Sequence, residues 1–366
     1  MKKIYYITAV FATLFLVGCG DGIDLPGVNV ETDLNKIPLP DNNVNLEQVE
    51  LKPSTEPMLH EGLHTEEDFQ RIRDKKAAGE EPWVSAYQLL VESQFSQKTA
   101  DTYPTEWIKR GVSGDENYMN AGRGATIAYQ QALRWKIEQD DEYAAKAVEN
   151  LNKWVQTCVG VTGNTNLSLA AGLYGYEFAI AGELLRDYGG WDRADFAAFQ
   201  NWLLKVFYPA NDDFLKRHHD TNALHYWANW CLCNIAAKMA IGIVTDRRDI
   251  YNEGIAHLQT GDTNGRLRRA IYHDYAPDYN FAQWQESGRD QGHTLMCVGL
   301  MGIICQLAWS QGDDFFAYDD NLFLRACEYA ACCNYTNETV PYTTYIWQKQ
   351  SQWGYPIPEE QTTLGG

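Results

Sequence analysis

Three stretches of this chain, 167–184, 231–244 and 295–309, are apolar nearly all the way round a helical wheel, and they restrict the fold more than any other feature. A helix without a polar face must be enclosed by other helices. Stretches 141–158 and 193–206 instead keep one charged face, as covering helices do. Helical periodicity runs over roughly 66–76, 82–95, 121–139, 141–158, 167–187, 193–206, 222–244, 247–259, 290–311 and 321–335, each segment broken by Gly, Pro, Asn or Asp, and no comparable run alternates with the period of a strand. Inner helices alternating with outer ones predict an all-α fold, an α/α barrel (toroid) of antiparallel helical hairpins whose loops line a groove at one rim. An irregular helical enzyme or a repeat scaffold is the alternative, and no repeat with a fixed signature residue is seen. The chain stops at Thr362-Thr363-Leu364-Gly365-Gly366 without a closing helical pattern, which predicts a barrel incomplete at that end.

Met1-Lys2-Lys3, the apolar run Ile4 to Val17 and Leu16-Val17-Gly18-Cys19 together read as a bacterial lipoprotein signal over residues 1–18, with Cys19 lipidated. Residues 19–58 are rich in Asp, Asn, Pro and Val without period and predict a flexible tether, leaving 59–366 as one domain. The expected location is the bacterial cell envelope, lipid-anchored at the outer membrane or facing the periplasm. A formal charge of −19 argues against nucleic acid as a partner. It also means that an acidic substrate needs a local set of cations, for which Lys109, Arg110, Arg123, Arg217, Arg266, Arg268, Arg269 and Arg289 are available. The cysteines beyond Cys19 lie in apolar helical contexts without zinc-site spacing, and they read as small buried hydrophobes.

Two polar segments interrupt the apolar pattern. In Gln283-Trp284-Gln285-Glu286-Ser287-Gly288-Arg289-Asp290-Gln291-Gly292-His293-Thr294, helical spacing puts Glu286, Arg289 and His293 on one face, a guanidinium one turn from a proton-transferring imidazole. In His218-His219-Asp220-Thr221-Asn222-Ala223-Leu224-His225-Tyr226-Trp227-Ala228-Asn229-Trp230, helical spacing would gather Asn222, His225, Tyr226 and Asn229 within an arc of about 100°. His218, His219 and Asp220 offer a metal-ligand alternative, without a matched third and fourth ligand at recognisable spacing. The 12 Trp and 22 Tyr favour a sugar-stacking groove, with Trp107, Tyr118, Tyr174, Trp227 and Trp284 as candidates.

The two polar faces together suit β-elimination from a uronic acid. The carboxylate is neutralised by Asn222 or Asn229 with Arg289, and His225, Tyr226 and His293 move the C5 proton and protonate the leaving O4, without metal or bound cofactor. A hydrolase would need facing carboxylates, for which Glu286 or Asp290 with Glu183 or Asp220 are candidates. A non-catalytic glycan-binding lipoprotein is the third reading.

Gln285-Glu286-Ser287-Gly288-Arg289-Asp290-Gln291-Gly292-His293-Thr294, with Ala308-Trp309-Ser310-Gln311-Gly312-Asp313-Asp314, Glu328-Tyr329-Ala330-Ala331 and Gly163-Asn164-Thr165-Asn166-Leu167 through Glu183-Leu184-Leu185-Arg186, resembles the alginate lyase family of α/α-toroid polysaccharide lyases. The resemblance is nearest to its Bacteroidota lipoprotein branch, polysaccharide lyase family 38, and runs from about His60 to about Tyr345. The resemblance implies metal-free cleavage of β-1,4-linked uronans such as alginate or glucuronan. It implies a working set of Asn, His, Tyr and Arg, in which Arg289 matches the family's arginine and His225-Tyr226-Trp227 its Asn-His segment. Together with the reading of the residues above, the candidates are catalytic His225, Tyr226, Arg289, His293 and Asn222, and substrate-binding Asn229, Asn166, Tyr174, Arg123, Trp227, Gln285 and Glu286. Two positions depart from the family pattern. Met296 stands where a catalytic Tyr follows the Arg by seven residues, which leaves Tyr226, then Tyr174, Tyr272 and Tyr279. Leu224 replaces the Asn before the His, which leaves Asn222, Asn229 and Asn166 as the neutralising amide.

Overall fold

The computed structural model describes residues 55–336, 339–351 and 353–366, so the signal segment, Cys19 and nearly all of the tether lie outside the described residues. Helices α1 (Glu66–Ala77) and α2 (Trp83–Glu92) lead into α3 (Tyr118–Glu138), α4 (Asp141–Thr157), α5 (Leu167–Leu184), α6 (Arg193–Val206), α7 (Tyr208–Arg217), α8 (Ala228–Val244), α9 (Arg248–Thr260), the single turn α10 (Leu267–Ala270), α11 (Gln291–Ser310) and α12 (Tyr318–Tyr335). The expected helices form, with two differences. Pro209 at the start of α7 opens a helix that periodicity alone did not mark. The helix expected from 222 begins only at Ala228, because His218, His219 and Asp220 turn in the left-handed region and Asn222 Oδ1 accepts from Leu224 N in a local turn.

The apolar helices are the inner ones, as their lack of a polar face requires. Nearly every residue of α5 and α8 is buried, and α5 packs on α3 and α8 while α8 packs on α11. Gly172 permits the α5–α8 contact, since a Cβ there would stand 2.4 Å from Cys233 Sγ. Helix α11 is long and apolar enough to cross a membrane by composition, but it is packed into this core. The outer layer is amphipathic: α4 turns Tyr143, Ala147, Leu151 and Trp154 inward beneath a charged face. Phe178 on α5 lies between Trp154, Trp202 and Phe207 at 5.1–5.9 Å, a cluster whose truncation to Ala at the centre costs about 3–5 kcal/mol. The described cysteines from Cys158 to Cys333 are free, and most are buried.

Near their starts α5 and α8 meet where Asn234 Nδ2 donates to Ser168 O, and Asn229 at the start of α8 donates to Glu286 just ahead of α11, so these inner helices begin at one rim. Short strands β1 (Trp107–Arg110) and β2 (Gly160–Gly163), which precede α3 and α5, pair in parallel there. Strands β3 (Ile271–Asp274) and β4 (Ala282–Trp284) pair ahead of α11. Strands β5 (Tyr345–Trp347) and β6 (Glu359–Gln361) form an antiparallel ribbon from the C-terminal segment. At the opposite rim Arg186 binds Glu183 and donates to the carbonyls of Ile243 and Val244 at the end of α8.

Candidate active site

Four inner helices beginning at one rim collect their N-terminal partial positive charges there, in a chain that is otherwise strongly acidic. The polar segments ahead of α8 and α11 are locked together at this rim. Glu286, with no exposed surface, accepts from Asn229 N at 3.0 Å and Asn229 Nδ2 at 2.5 Å, and its other oxygen accepts from Arg289 Nη1 at 3.2 Å. Gln285 Oε1 accepts from Ala228 N at 3.0 Å. Both side chains therefore satisfy N–H groups that the first turn of α8 leaves unpaired, and the register between the two segments is fixed. Arg289 is three-quarters covered, lies 5.3 Å over the Trp227 ring and approaches Asp290 Oδ2 at 3.6 Å.

Asp290 caps α11 by accepting from His293 N at 2.7 Å, and its other oxygen contacts His293 Nδ1 at 2.7 Å. Burial works against ionisation of Asp290, but the hydrogen bonds from His293 and the Arg289 charge outweigh it and hold the carboxyl below its ordinary value. As an ionised carboxylate, Asp290 fixes the proton of a neutral His293 on Nδ1, so Nε2 carries the free lone pair.

His225 has the opposite arrangement. Its Nδ1 accepts the backbone N–H of Gln350 at 2.9 Å, so the ring proton sits on Nε2. Burial, followed by the nearby Lys349 charge, pushes its pKa below the usual imidazole value. The ring stacks on Trp347 at 6.2 Å, and Trp347 stacks on Trp227 at 4.3 Å. His225 and Arg289 are thus on the same rim, connected through two indoles.

The other candidates are distributed around this centre. Tyr226 is buried against Phe214, His219 and Trp230, and burial raises its pKa while its hydroxyl meets Thr165. Asn222 is exposed, and its Nδ2 is bonded to Gln348 O at 3.1 Å and Gln350 Oε1 at 3.0 Å. Asn166 sits at the start of α5 and donates to Asn164 Oδ1. Tyr174 is buried and stacks on Tyr118 at 6.5 Å, and Arg110 lies 4.7 Å over Tyr118. Arg123 is exposed near the start of α3. Trp107 and Tyr279 are exposed, Tyr272 packs beneath the ribbon, and Trp284 is a core residue that donates to Ala326 O.

The carboxylates considered for hydrolysis do not face one another as free pairs. Glu183 is bound to Arg186 at the far rim, Asp220 pairs with exposed Arg217, and Glu286 is consumed by Asn229 and Arg289. His218 packs on Phe214, and His219 Nε2 meets Ser168 Oγ at 3.0 Å. Among the described residues no group of three or more His, Cys, Asp or Glu is placed to hold a metal ion.

The residues that sequence reasoning missed belong to the C-terminal segment. Trp347 Nε1 donates to His225 O at 2.7 Å. Tyr345 donates to Gln285 O and accepts from Gly288 N at 3.2 Å, which holds the Glu286–Gly288 turn. Gly365 N donates to Ser287 O, and Gln291 N to Gly366 O. Their only sequence signal was a concentration of aromatic and amide side chains after 341.

The family model described as alginate lyase matches residues 72–338. Among solved structures, alginate lyase A1-III in complex with a tetrasaccharide is 14% identical with a TM-score of 0.56, covering 75% of this chain and 79% of that one. Alginate lyase A1-III from Sphingomonas species A1 is 13% identical with a TM-score of 0.52, covering 76% and 80%. An alginate lyase from Bacteroides ovatus is 14% identical with a TM-score of 0.52, covering 73% and 81%. These likenesses show the α/α-toroid fold. No curated protein matches the chain.

Proposed function

The chain belongs to the alginate lyase family and is a polysaccharide lyase, and we propose that it cleaves β-1,4-linked uronans by a metal-independent β-elimination in which one histidine both takes and returns the proton. The observation that carries this reading is the opposite proton placement on the two rim histidines. Arg289, steadied by Glu286 and Asp290, pairs with the substrate carboxylate and offsets the charge that builds up at C5. His293 Nε2 removes the C5 proton. The electron pair forms the C4–C5 double bond, the C4–O4 bond breaks, and the departing oxygen takes a proton.

His225 is an unsuitable donor for that proton. Its Nδ1 is occupied by the Gln350 N–H, so loss of the Nε2 proton would leave an imidazolate. It serves instead as a neutral hydrogen-bond donor to the carboxylate or O4. The imidazolium formed on His293 then returns its proton to O4.

A single shuttle reaches both positions only when the C5 proton and O4 lie on the same side of the ring. That holds for mannuronate and glucuronate but not for guluronate. Rates with poly-mannuronate, glucuronan and poly-guluronate, followed by the absorbance of the new double bond with a chelator present, test the reading. Equal rates on poly-guluronate would exclude the single shuttle, and loss of activity with chelator would exclude metal independence. The lipoprotein signal read at residues 1–18 supports an envelope-anchored enzyme. A mature mass that starts anywhere other than at an acylated Cys19 would refute that placement.

A further inference from the structure

Beside the catalytic rim an open cleft of about 530 Å³ is lined by Asn222–Leu224, by Asp262 and Arg269, and by Gln348, Gln350, Gly354 and Pro356 of the C-terminal segment. Its volume lies within the roughly 300–1,000 Å³ of small-molecule sites. A narrower cavity of about 30 Å³, too small for a sugar ring, shares Leu224, Arg269 and Gln348 with the cleft and reaches Gln285 and Tyr345. The cleft is therefore a lateral continuation of the rim.

Arg269 is half-buried, and its Nη1 donates to the backbone carbonyl of Asp262. Most arginines of this acidic protein pair with a carboxylate, as Arg134, Arg186, Arg217, Arg289 and Arg325 do. Arg269 has no carboxylate ion pair among the described residues, and burial and then neighbouring Arg266 press against its charge, an effect that the Asp262 carboxylate only partly offsets. An incoming anion relieves that penalty. In the C-terminal lining Gly354 N donates to Ser351 O and Gln350 bridges to Pro356, and Trp353 is 77% and Tyr355 69% exposed on either side of Gly354. Gly354 and Arg269 both line the cleft, and the two exposed rings are the chain neighbours of Gly354, a combination suited to a sugar face and its carboxylate.

We propose that this cleft is a distal subsite for one uronate unit of the polysaccharide, with Arg269 pairing to its carboxylate and Tyr355 stacking on its ring. The proposal rests on the uronan reading above, and it makes the enzyme favour long chains.

The test measures KM and kcat on poly-mannuronate oligosaccharides from three to eight units for wild type, Arg269→Gln and Tyr355→Ala. Wild type is expected to show KM falling with length. Each variant should flatten that dependence, raising KM on the longest substrate by about tenfold for Arg269→Gln, with kcat on that substrate held. Tyr355 is surface-exposed, so its variant separates loss of the subsite from misfolding. If wild type is active and both variants keep its length dependence, the subsite is refuted while the lyase reading stands. If wild type forms no unsaturated product from any uronan, that reading fails, and calorimetric binding of the eight-unit oligosaccharide decides the subsite. Equal affinity of wild type and Arg269→Gln would refute it there too.

Discussion

Replacing Glu286 by Gln tests the physical basis of the site. The carboxylate is fully buried and serves both Asn229 donors and Arg289 Nη1. Glutamine keeps the volume but has one acceptor oxygen. If that oxygen stays with Asn229, its NH2 faces the guanidinium, donor against donor. The loss is one charge-assisted hydrogen bond, about 1.5–3 kcal/mol, plus part of the cost of a poorly neutralised cation. Arg289 keeps Asp290 at 3.6 Å and some water contact, since its side chain is 28% exposed, so the total stays near the lower end, about 2–3 kcal/mol. For a domain of about 300 residues that lowers Tm by roughly 3–5 °C. A guanidinium displaced by about 1 Å costs on the order of 100-fold in kcat/KM. Circular-dichroism melting and the rate of double-bond formation measure the two effects. A Tm within about 1 °C of wild type together with unchanged kcat/KM would refute the claim that Glu286 positions Arg289.

Other outcomes follow from the same geometry. His293→Gln removes the proposed base and should lower kcat by about 100- to 10,000-fold with a near-native melting curve, whereas a loss under tenfold would place the base elsewhere. Tyr226→Phe keeps the buried ring and loses only the hydroxyl near Thr165, so kcat should fall less than about fivefold; a loss as large as that of His293→Gln would make Tyr226 the proton carrier instead. Burial lowers the His64 pKa to about 4. The unfolded chain therefore takes up that proton first as pH falls below about 6.5, and about 3 kcal/mol of stability should be lost between there and pH 4. His64→Gln should shallow that slope in denaturant titrations, and an unchanged slope would contradict the assignment. His225 shifts in the same direction, so acid should also weaken its bond from Gln350 N. An acid limb of activity that does not move in His225→Gln would exclude that link.

The inner and outer helices were legible because burial on all sides leaves a compositional mark, as in α5 and α8. The Glu286–His293 segment was legible because helix capping and charge spacing are local, and Asp290 caps α11 as its position suggests. The segment 222–227 was misjudged as helix for an equally local reason. Spacing alone does not reveal that Asn222 satisfies Leu224 N and that three preceding residues adopt left-handed backbone. What stayed hidden was non-local. Tyr345, Trp347 and Gln350 reach Gln285, Trp227 and His225 across more than a hundred residues in the longest cases, through a short ribbon with no periodicity to betray its partner. The tautomer of His225, on which the proton route depends, is set by one of those contacts.

That Gly365 and Gly366 hydrogen-bond to Ser287 and Gln291 has a practical side. Anything fused after Gly366 would emerge against the turn that carries Arg289, where an affinity tag would crowd incoming polymer and a histidine tag would add competing imidazoles. Recombinant handles belong within the tether after Cys19, behind the signal read at 1–18, and kinetic comparisons with preparations tagged after Gly366 would otherwise measure the tag.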